Sequence, residues 1–390
     1  MGPLEGLKIV ELVGTGPGPF AAMVLADMGA DVVRVARASE RRGGLAAYDA
    51  RLDLMNRNRT SIAIDLKQLR GQELVLDLVE RADALIEPYR PGVMERLGLG
   101  PEPCFARNPK LVYARMTGWG QEGPYAHKAG HDINYIALNG VLSLLGREGE
   151  KPTPPFNLVG DFGGGAMFLT TGLLAAVLHA RSTGEGQVVD VAMVDGAALL
   201  ATVTHTLRAM GGSWGPRGTN MLDTGAPFYD VYETADGKYM SVGSIEPQFY
   251  RALLEGLGLD AELSNLMASQ QDRATWRPLK QRFADIFRSR TRDQWATEFA
   301  ERDACVCPVL ELDEAIAHPH MQARETYGEH FGAVQPSPAP RFAATPSSIR
   351  QPPPRPAEHT ASILERWGIA DASALIADGV AQTEGGDSQP

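Results

Sequence analysis

The stretch GLKIVELVGTGPGPFAAMVLADMGADVVRV, residues 6–35, decides the fold of this chain. Its apolar residues 6–12 predict a buried strand, residues 14–19 a tight loop rich in glycine and proline, residues 20–28 a helix, and residues 31–35 a second strand. A strand, a helix and a second strand in this order form a βαβ unit, whose two strands pair in parallel. The stretch therefore predicts an α/β fold built on a parallel sheet.

The same alternation continues along the first half of the chain. Further strands are expected at residues 60–66, 84–88, 111–116 and 188–192, and helices at 68–82, 166–180 and 193–210. Five strand–helix alternations imply a doubly wound parallel sheet. Ligands of such sheets bind at the carboxyl edge, so the residues that follow each strand are the candidate functional residues.

The pattern changes after residue 210. Residues 211–226 are rich in glycine and polar residues and are interpreted as a linker. Residues 228–233 and 238–242 flank an Asp-Gly turn and predict a hairpin, and helices follow from Pro247, at 275–287 and at 292–302. This part predicts a small α+β domain. The proline-rich residues 334–356 are expected to wrap over a surface, and the last ten residues to be disordered.

Composition limits the classes of function. The chain has 390 residues, of which 44% are hydrophobic and 22% charged, and its formal net charge of -11 disfavours nucleic acid as a partner. No apolar run approaches about 20 residues, so no membrane association is expected. Cys104, Cys305 and Cys307 form neither an even disulfide set nor a zinc motif, which favours a cytoplasmic location and no metal site.

The loop after the first strand has two candidate ligands. Gly14 and Gly16 match part of the dinucleotide fingerprint, but Pro19 occupies the third glycine position, and Arg37 follows the second strand where an acidic residue would bind a ribose. NAD is therefore disfavoured, and a phosphate near Arg37 fits better. Further basic residues near strand ends form either an anion pocket or a set of solvated surface charges: Arg57, Arg59, Lys67, Arg90 and Arg96.

Two segments, AGHDINY (129–135) and LVGDFGGG (158–165), place an imidazole and carboxylates at helix starts. His131 and Asp132 open a helix predicted over 133–145, and Asp161 precedes the helix at 166–180. The proline-rich residues 151–156 are expected to fold one start back beside the other. Helix capping alone would explain each residue singly. Three glycines at 163–165 are costly in a helix and favour instead a ligand close to the backbone, and hence an acid/base site.

Eight motifs together resemble the α-methylacyl-CoA racemase branch of the family III CoA-transferases, the CaiB/BaiF-like superfamily, over residues 2–340. They are GPGP (16–19), DVVRV (31–35), DLK (65–67), YRPG (89–92), MTGWG (116–120), GHDINY (130–135), GDFGGG (160–165) and IEPQF (245–249). The resemblance implies an interlocked homodimer in which each large Rossmann-like domain is completed by its own C-terminal segment. The expected parts are a large domain at 1–210, a linker at 211–226, a small α+β domain at 227–325, a C-terminal segment at 326–380 that returns to the large domain, and a disordered tail at 381–390.

The resemblance also implies the chemistry of the site. Members interconvert (2R)- and (2S)-2-methylacyl-CoA thioesters without a metal or other cofactor, since coenzyme A is part of the substrate. His131 with Glu246 would act on one face of the substrate and Asp161 on the other, while Asp132 supports His131. Acyl-CoA would bind between one chain's large domain and the other's small domain. The residues that match CoA contacts are Arg37, Lys67, Arg90, Arg96 and Tyr135.

Inversion of a carbon beside a thioester needs one group that removes a proton and another that returns one from the opposite side. His131 and Asp161 supply such a pair, and the backbone N–H groups of 163–165 are expected to donate to the enolate oxygen. Two alternatives remain open. In a family III CoA-transferase Asp161 would form an acyl anhydride, and His131 and Glu246 would have no evident part. A non-catalytic acyl-CoA-binding protein would leave all three titratable groups unused.

Overall fold

The computed structural model describes residues 2–37, 49–211 and 214–384, and the chain divides into two compact units. Unit 1 comprises Met1–Asn139, Phe156–Leu200 and Ala323–Pro390, and unit 2 comprises Gly140–Pro155 and Ala201–Gln322. Both units are therefore assembled from separate stretches of the chain, and unit 2 takes in Gly140–Pro155, which falls inside the large domain expected over 1–210.

The helices and strands alternate in the first half of the chain as the apolar pattern predicts. The strands are β1 (Lys8–Leu12), β2 (Asp31–Arg37), β3 (Thr60–Ile64), β4 (Ala84–Glu87), β5 (Val112–Thr117), β6 (Gln187–Ala192), β7 (Tyr229–Glu233), β8 (Tyr239–Gly243), β9 (Val306–Pro308), β10 (Tyr327–His330), β11 (Ala333–Pro336) and β12 (Ala381–Gln382). The helices are α1 (Pro17–Asp27), α2 (Leu69–Val79), α3 (Val93–Arg96), α4 (Pro101–Arg107), α5 (Asp132–Leu138), α6 (Met167–Thr183), α7 (Met193–Leu200), α8 (Thr202–Ala209), α9 (Pro247–Gly256), α10 (Leu263–Ala268), α11 (Arg273–Phe287), α12 (Arg292–Phe299), α13 (Leu312–Ala317), α14 (Pro319–Ala323), α15 (Thr360–Arg366) and α16 (Ala372–Ala377).

Unit 1 is organised by a seven-stranded sheet with the order β12-β3-β2-β1-β4-β5-β6. Strands β1 to β6 pair in parallel, and only β12 pairs antiparallel, with β3. The order of the six parallel strands, 3-2-1-4-5-6, is that of doubly wound Rossmann sheets, so the predicted fold class is confirmed for this unit. Strand order reverses between β1 and β4, and the crevice beyond their carboxyl ends is where such folds bind ligands.

Both faces of this sheet are buried, as expected of parallel strands. Alternate residues of β1 show the division: Ile9 packs with α1 and α6 on one face, and Val10 packs with α2 and α15 on the other. The second face includes the C-terminal helices, where Trp367 packs into the core and donates from Nε1 to Asp31 Oδ2 at 3.1 Å. The C-terminal segment is thus part of the core of unit 1.

The chain end differs from the expected disordered tail at 381–390. Ala381 pairs with Ile64 and Gln382 with Ala63, so β12 closes the edge of the sheet beside β3. The pairing is possible because α15 and α16 bring the chain back along this edge, and Ala381 is fully buried there. Residues 385–390 lie outside the described residues.

Unit 2 is a small α+β unit with its own core. Strands β7, β8 and β9 form an antiparallel sheet, in which β7 and β8 are the predicted hairpin. Helices α9, α11 and α12 pack on it through large aromatic side chains, among them Tyr250, Phe283 and Trp295. The hairpin strands alternate buried and exposed residues, which leaves one face of the sheet outside this core.

Residues 211–226 were interpreted as a linker, but the described part, 214–226, is folded within unit 2. Asn220 is buried and accepts the Gly215 N–H at 2.6 Å, and its own amide donates to Asp223 Oδ2 at 2.6 Å. Arg217 donates to the Ser143 carbonyl at 3.1 Å, which attaches the segment to residues 140–155 of the same unit. Polar side chains that looked typical of a linker therefore satisfy one another in a folded loop.

Three predicted helices differ from the structure in more than the exact position of their ends. The helix expected over 133–145 ends at Leu138, because Gly140 takes a left-handed conformation with φ +90 and a 3-10 turn (Val141–Leu144) follows. The helix expected over 193–210 breaks at Ala201 into α7 and α8, where the units also divide. Asp161 does not precede α6 as a cap, since it lies within a π-helix (Leu158–Ala166) that continues into α6.

The joined π-helix and α6, Leu158–Thr183, form one helical stretch of 26 residues that is apolar enough to cross a membrane by length and composition. The sequence prediction that no apolar run approaches about 20 residues is therefore wrong for this stretch. This stretch packs against α1, α7 and β5 within unit 1. Core helices of folded domains can be as long and as apolar, so we interpret the stretch as a core helix of unit 1.

Candidate active site

The loop after β1 begins the candidate site, at the reversal of strand order. Gly16 has φ +71, a conformation that side chains other than glycine rarely adopt, and it starts α1 together with Pro17 at the first helical position. A Cβ atom at Gly16 would lie 3.5 Å from Asp161 Oδ2. The carboxylate of Asp161 therefore faces the glycine and proline loop at the carboxyl edge of the sheet.

Asp132 joins the two segments that carry the acid and base candidates. Its Oδ2 accepts the backbone N–H of Asp161 at 2.7 Å, and only 5% of the residue is exposed. A Cβ atom at Gly160 would lie 2.6 Å from the same oxygen, so only glycine permits this approach. The two segments therefore lie side by side, as predicted, and the Asp132 carboxylate at the start of α5 holds the backbone of Asp161 in the other segment.

His131 is exposed at the residue before α5. Its backbone N–H donates to Asn134 Oδ1 at 3.1 Å, which fixes the chain at the helix start. His131 lies close enough to Asp161 to act on the Asp161 carboxyl electrostatically. The imidazole and this carboxyl are therefore neighbours within unit 1.

Burial raises the pKa of Asp161 above its usual value, and the negative charge of Asp132 adds to the rise. A hydrogen bond from Asn157 Nδ2 to Asp161 Oδ2, at 3.2 Å, and the nearby His131 act in the opposite direction. A raised pKa makes the ionised carboxylate a stronger base and increases the fraction of the group that is protonated and able to return a proton. The surroundings of Asp161 thus suit proton transfer.

Tyr135, expected to contact CoA, is instead buried in the structure of the site. Its hydroxyl donates to the Gly130 carbonyl, and its ring packs edge-on against Trp119 with 4.7 Å between ring centres. Burial raises the pKa of Tyr135 to about 12, with Asp161 adding to the rise and Arg90 opposing it. These contacts attach Tyr135 to Gly130, the residue before His131, and the charge of Arg90 acts on its hydroxyl.

Four of the predicted anion-binding residues lie at or after the carboxyl ends of β2, β3 and β4, strands on both sides of β1 in the sheet. Arg37 ends β2, and its guanidinium lies over the ring of Tyr89, 5.6 Å from the ring centre. Arg90 follows β4, and Arg96 folds back to within 3.3 Å of the Cβ position of Gly92 in the same turn. Lys67 is exposed and follows β3 by three residues. The last residue of β3, Ile64, pairs with Arg37, so Lys67 and Arg37 extend from the same end of neighbouring strands. These positions place exposed positive charge along one edge of the sheet.

Arg57 and Arg59 do not belong to that pocket. Arg57 is buried in an ion pair with Asp27 at 2.6 Å, and it also donates to Gln335 Oε1 at 2.8 Å. Arg59 is fully buried and pairs with Glu11. Charges that the sequence alone leaves available for a ligand are therefore neutralised inside the fold.

The three glycines at 163–165 serve close packing and not a ligand. A Cβ atom at Gly164 would lie 2.5 Å from Ala197 N, and one at Gly196 would lie 1.9 Å from Gly164 O. Helix α7 therefore occupies the position assigned to a ligand. In a π-helix each N–H donates to the carbonyl five residues earlier, so the amides of 163–165 are engaged and are not the predicted enolate donors.

Glu246 lies in unit 2, as the exposed residue that precedes Pro247 at the start of α9. Burial raises the pKa of the neighbouring Cys305 thiol, and the charges of Asp303 and Glu246 add to this rise. The three cysteines are free. Within residues 2–37, 49–211 and 214–384, no three His, Cys, Asp or Glu side chains are grouped as metal ligands would be.

Asn157 is a site residue that the sequence analysis missed. It stands four residues before Asp161, a spacing at which side chains meet on one face of a helix. The proline-rich context of residues 151–156 pointed to a loop instead, so the pair was not recognised.

These features define an α/β protein that carries an aspartate, a histidine and a basic sheet edge at the reversal of its strand order. The chain belongs to CoA-transferase family III, which matches residues 4–360. It is 46% identical to the α-methylacyl-CoA racemase of Mus musculus over 376 residues, 95% of each chain, and 46% identical to that of Homo sapiens over 371 residues, 94% of each. Among solved structures it is similar to a CaiB/BaiF family protein from Brucella suis, with a TM-score of 0.79, 27% identity, and coverage of 94% of this chain and 99% of that one.

Proposed function

We propose that this chain is an α-methylacyl-CoA racemase that interconverts (2R)- and (2S)-2-methylacyl-CoA thioesters. The observation that carries the proposal is the pairing of His131 with Asp161 around the Asp132 carboxylate. The near full-length similarity to proteins named as racemases supports the same reaction. No cofactor is required, since the reaction only moves protons.

The reaction proceeds by removal of the proton from C2 and return of a proton to the opposite face. His131, supported by Glu246, serves one face, and Asp161 serves the other. The raised pKa of Asp161 favours both of its roles, as base toward one epimer and as acid toward the other. Each positioned group contributes on the order of 10²–10⁴ to the rate. Asp132 does not touch the substrate in this scheme and holds the Asp161 backbone in place.

The CoA portion of the substrate binds at the basic edge of the sheet. Arg37, Lys67, Arg90 and Arg96 supply positive charge beyond the carboxyl ends of β2, β3 and β4, in a protein of net charge -11. Charged side chains bind phosphates by short, charge-assisted hydrogen bonds. Crevices at this edge are the usual ligand sites of the fold.

The functional form is an interlocked homodimer. Support comes from apolar side chains that stand exposed on elements around the site: Leu158 in the π-helix, Met167 on α6, and Leu199 and Leu200 on α7, with Leu199 at 60% exposure. Exposed apolar groups on adjoining elements are typical of surfaces that bind a partner. His131 of one chain and Glu246 of the other then complete each site. The expected location is the cytoplasm, supported by three free cysteines.

Deuterium exchange tests the reaction. In deuterated water the wild-type protein should introduce deuterium at C2 of both epimers as they interconvert, measured by NMR. His131→Ala should block removal from one epimer and Asp161→Asn from the other, so neither variant racemises. Retention of the C2 proton in wild type, together with transfer of CoA to an added free acid, would establish anhydride chemistry by a CoA-transferase instead.

Mixed dimers test the shared site. His131→Ala and Glu246→Ala proteins, each inactive alone, are refolded together. If the two residues come from different chains, mixed dimers contain one intact site and regain activity. No recovery would place both residues in one chain.

A further inference from the structure

Arg115, on β5, contacts groups from two loops that follow neighbouring strands. Its Nη1 donates to Gln121 Oε1 at 2.6 Å, in the loop after β5. Its Nε lies 3.3 Å from Glu87 Oε1 at the end of β4, and its Nη2 donates to Glu95 on α3. Arg115 and Glu87 are buried, whereas the Glu95 side chain reaches the surface. The guanidinium is therefore a bridge between the carboxyl ends of β4 and β5.

At one end of the bridge, Glu87 holds the turn that carries Arg90. Glu87 Oε2 accepts the Tyr89 N–H at 3.0 Å, and Glu87 is only 2% exposed. The ring of Tyr89 in turn lies under the guanidinium of Arg37. A shift of Glu87 would therefore move the basic turn and the ring on which Arg37 rests.

At the other end, Gln121 belongs to the loop that leads to His131. Trp119 in this loop packs on Tyr135, and the Tyr135 hydroxyl donates to the carbonyl of Gly130, the residue before His131. The Gln121 side chain accepts from Arg115 through its carbonyl, while its buried Nε2 has no described partner. Arg115 is thus the contact that fixes the orientation of this amide.

We propose that Arg115 is a positioning residue that sets the basic turn carrying Arg90 and the loop leading to His131 at a fixed separation. The proposal rests on the proposed racemase function. It concerns a different residue, since Arg115 touches neither His131 and Asp161 nor the basic side chains at the sheet edge. A rigid tripod to Glu87, Glu95 and Gln121 requires the planar guanidinium, and a lysine ammonium cannot reproduce it. Small displacements between a bound substrate and its base have large effects on rate.

The bridge is sensitive to pH at Glu87. Burial raises the pKa of Glu87 to about 7, against the opposing effects of the Tyr89 N–H and Arg115. Below that pH the carboxyl is protonated and its attraction for Arg115 is lost, so the turn at Tyr89 loosens. The charged and titratable groups that face Glu87 are Arg115 and Tyr113 on β5, Glu95 on α3 and Asp190 on β6.

Steady-state kinetics on variants of each end test the proposal. Arg115→Met should raise KM and lower kcat, each by about tenfold, since both loops are released. Gln121→Met should lower kcat with KM within about twofold, because only the His131 loop is released. Glu87→Gln should abolish the rise in KM that wild type shows from about pH 8 to about pH 6. Arg115→Lys should recover less than half of the loss, whereas full recovery by lysine would reduce the role of Arg115 to its charge.

Arg107→Met is the matched control, because Arg107 also bridges two carboxylates, Glu73 and Asp77, but on the α2–α4 surface. Its kinetic constants should stay at wild-type values. Hydrogen exchange provides a readout that does not depend on the reaction: amides of 88–92 and 118–131 should exchange faster in folded Arg115→Met than in Arg107→Met. Unchanged exchange and unchanged KM and kcat would overturn the proposal. If amide exchange is faster in Arg115→Met but the wild-type protein introduces no deuterium at C2 of the substrate, the racemase function alone would be overturned.

Discussion

Glu87→Gln is the perturbation whose size follows most directly from the structure. The side chain is 2% exposed, accepts the Tyr89 N–H, and faces Arg115 at 3.3 Å. Burial nevertheless outweighs these contacts and raises the pKa of Glu87 from 4.5 to about 7. The ionised carboxylate is therefore less favourable in the fold than in the unfolded chain, where it is fully hydrated.

The sign of the effect follows from proton linkage. Because the folded pKa of Glu87 is raised, its contribution to stability is fully present below about pH 4.5 and is lost as the pH rises to about 7. The full loss is roughly 3 kcal/mol, of which about 2 kcal/mol falls between about pH 5.5 and pH 8.5. Glutamine keeps an oxygen that accepts the Tyr89 N–H but carries no charge, so Glu87→Gln removes this pH-dependent loss.

Calorimetry of wild type and variant at the two pH values measures the effect. The melting temperature of Glu87→Gln relative to wild type should rise by about 4–8 °C from about pH 5.5 to about pH 8.5, for a unit of about 250 residues. A constant difference between the proteins cancels in this comparison. Glu102→Gln, at an exposed position on α4, is the control and should show no such change. A relative melting temperature for Glu87→Gln that is the same at both pH values would refute the reasoning.

Three further predictions concern the site and its surroundings. Asp132→Ala should lower both the melting temperature and kcat, because the Asp161 N–H loses its acceptor at a cost of about 1–3 kcal/mol. Asp132→Asn should keep the melting temperature but move the pH–rate profile to lower pH, because the charge that helps to raise the Asp161 pKa is removed. Identical behaviour of the two variants would contradict this separation of roles. Arg57→Met should lower the free energy of unfolding by about 3–5 kcal/mol, since it leaves the buried Asp27 unpaired, while CoA affinity measured by calorimetry in the folded protein stays unchanged. Arg37→Ala should weaken CoA binding by about 1.5–3 kcal/mol with kcat unchanged, and unaltered affinity would remove Arg37 from the CoA site.

The strands of unit 1 could be predicted from sequence because buried parallel strands are short apolar runs separated by turn residues. Lys8–Leu12 and Ala84–Glu87 each lie within the expected range. The π-helix could not be predicted in the same way. Its residues continue the apolar pattern of α6, and Gly164 within it packs against Gly196, which lies 32 positions away in sequence. The neighbourhood of His131 and Asp161 was anticipated, but the Asp132 bond that creates it was not.

Charge is where sequence reasoning was least reliable. Arg57, Arg59 and Arg90 look equivalent in sequence, since each stands near the end of an element in a basic cluster. Their difference depends on partners far along the chain: Asp27 precedes Arg57 by 30 residues, and Glu11 precedes Arg59 by 48. A buried guanidinium with its carboxylate stabilises the fold and has no charge to offer a ligand. Only the tertiary structure divides the cluster into ion pairs and a ligand-binding edge.

Asp132 meets two requirements of the proposed two-base site with one side chain. A base that returns to its starting state in every cycle must keep both its position and a pKa near the working pH. The Asp132 oxygen that accepts the Asp161 N–H fixes the position, and the charge on the same group adds to burial in raising the Asp161 pKa. Because the hydrogen bond is made to the backbone, the Asp161 side chain remains directed toward Gly16 and the crevice. A residue that at first resembles a helix cap is thus the link between the geometry of the site and its acidity.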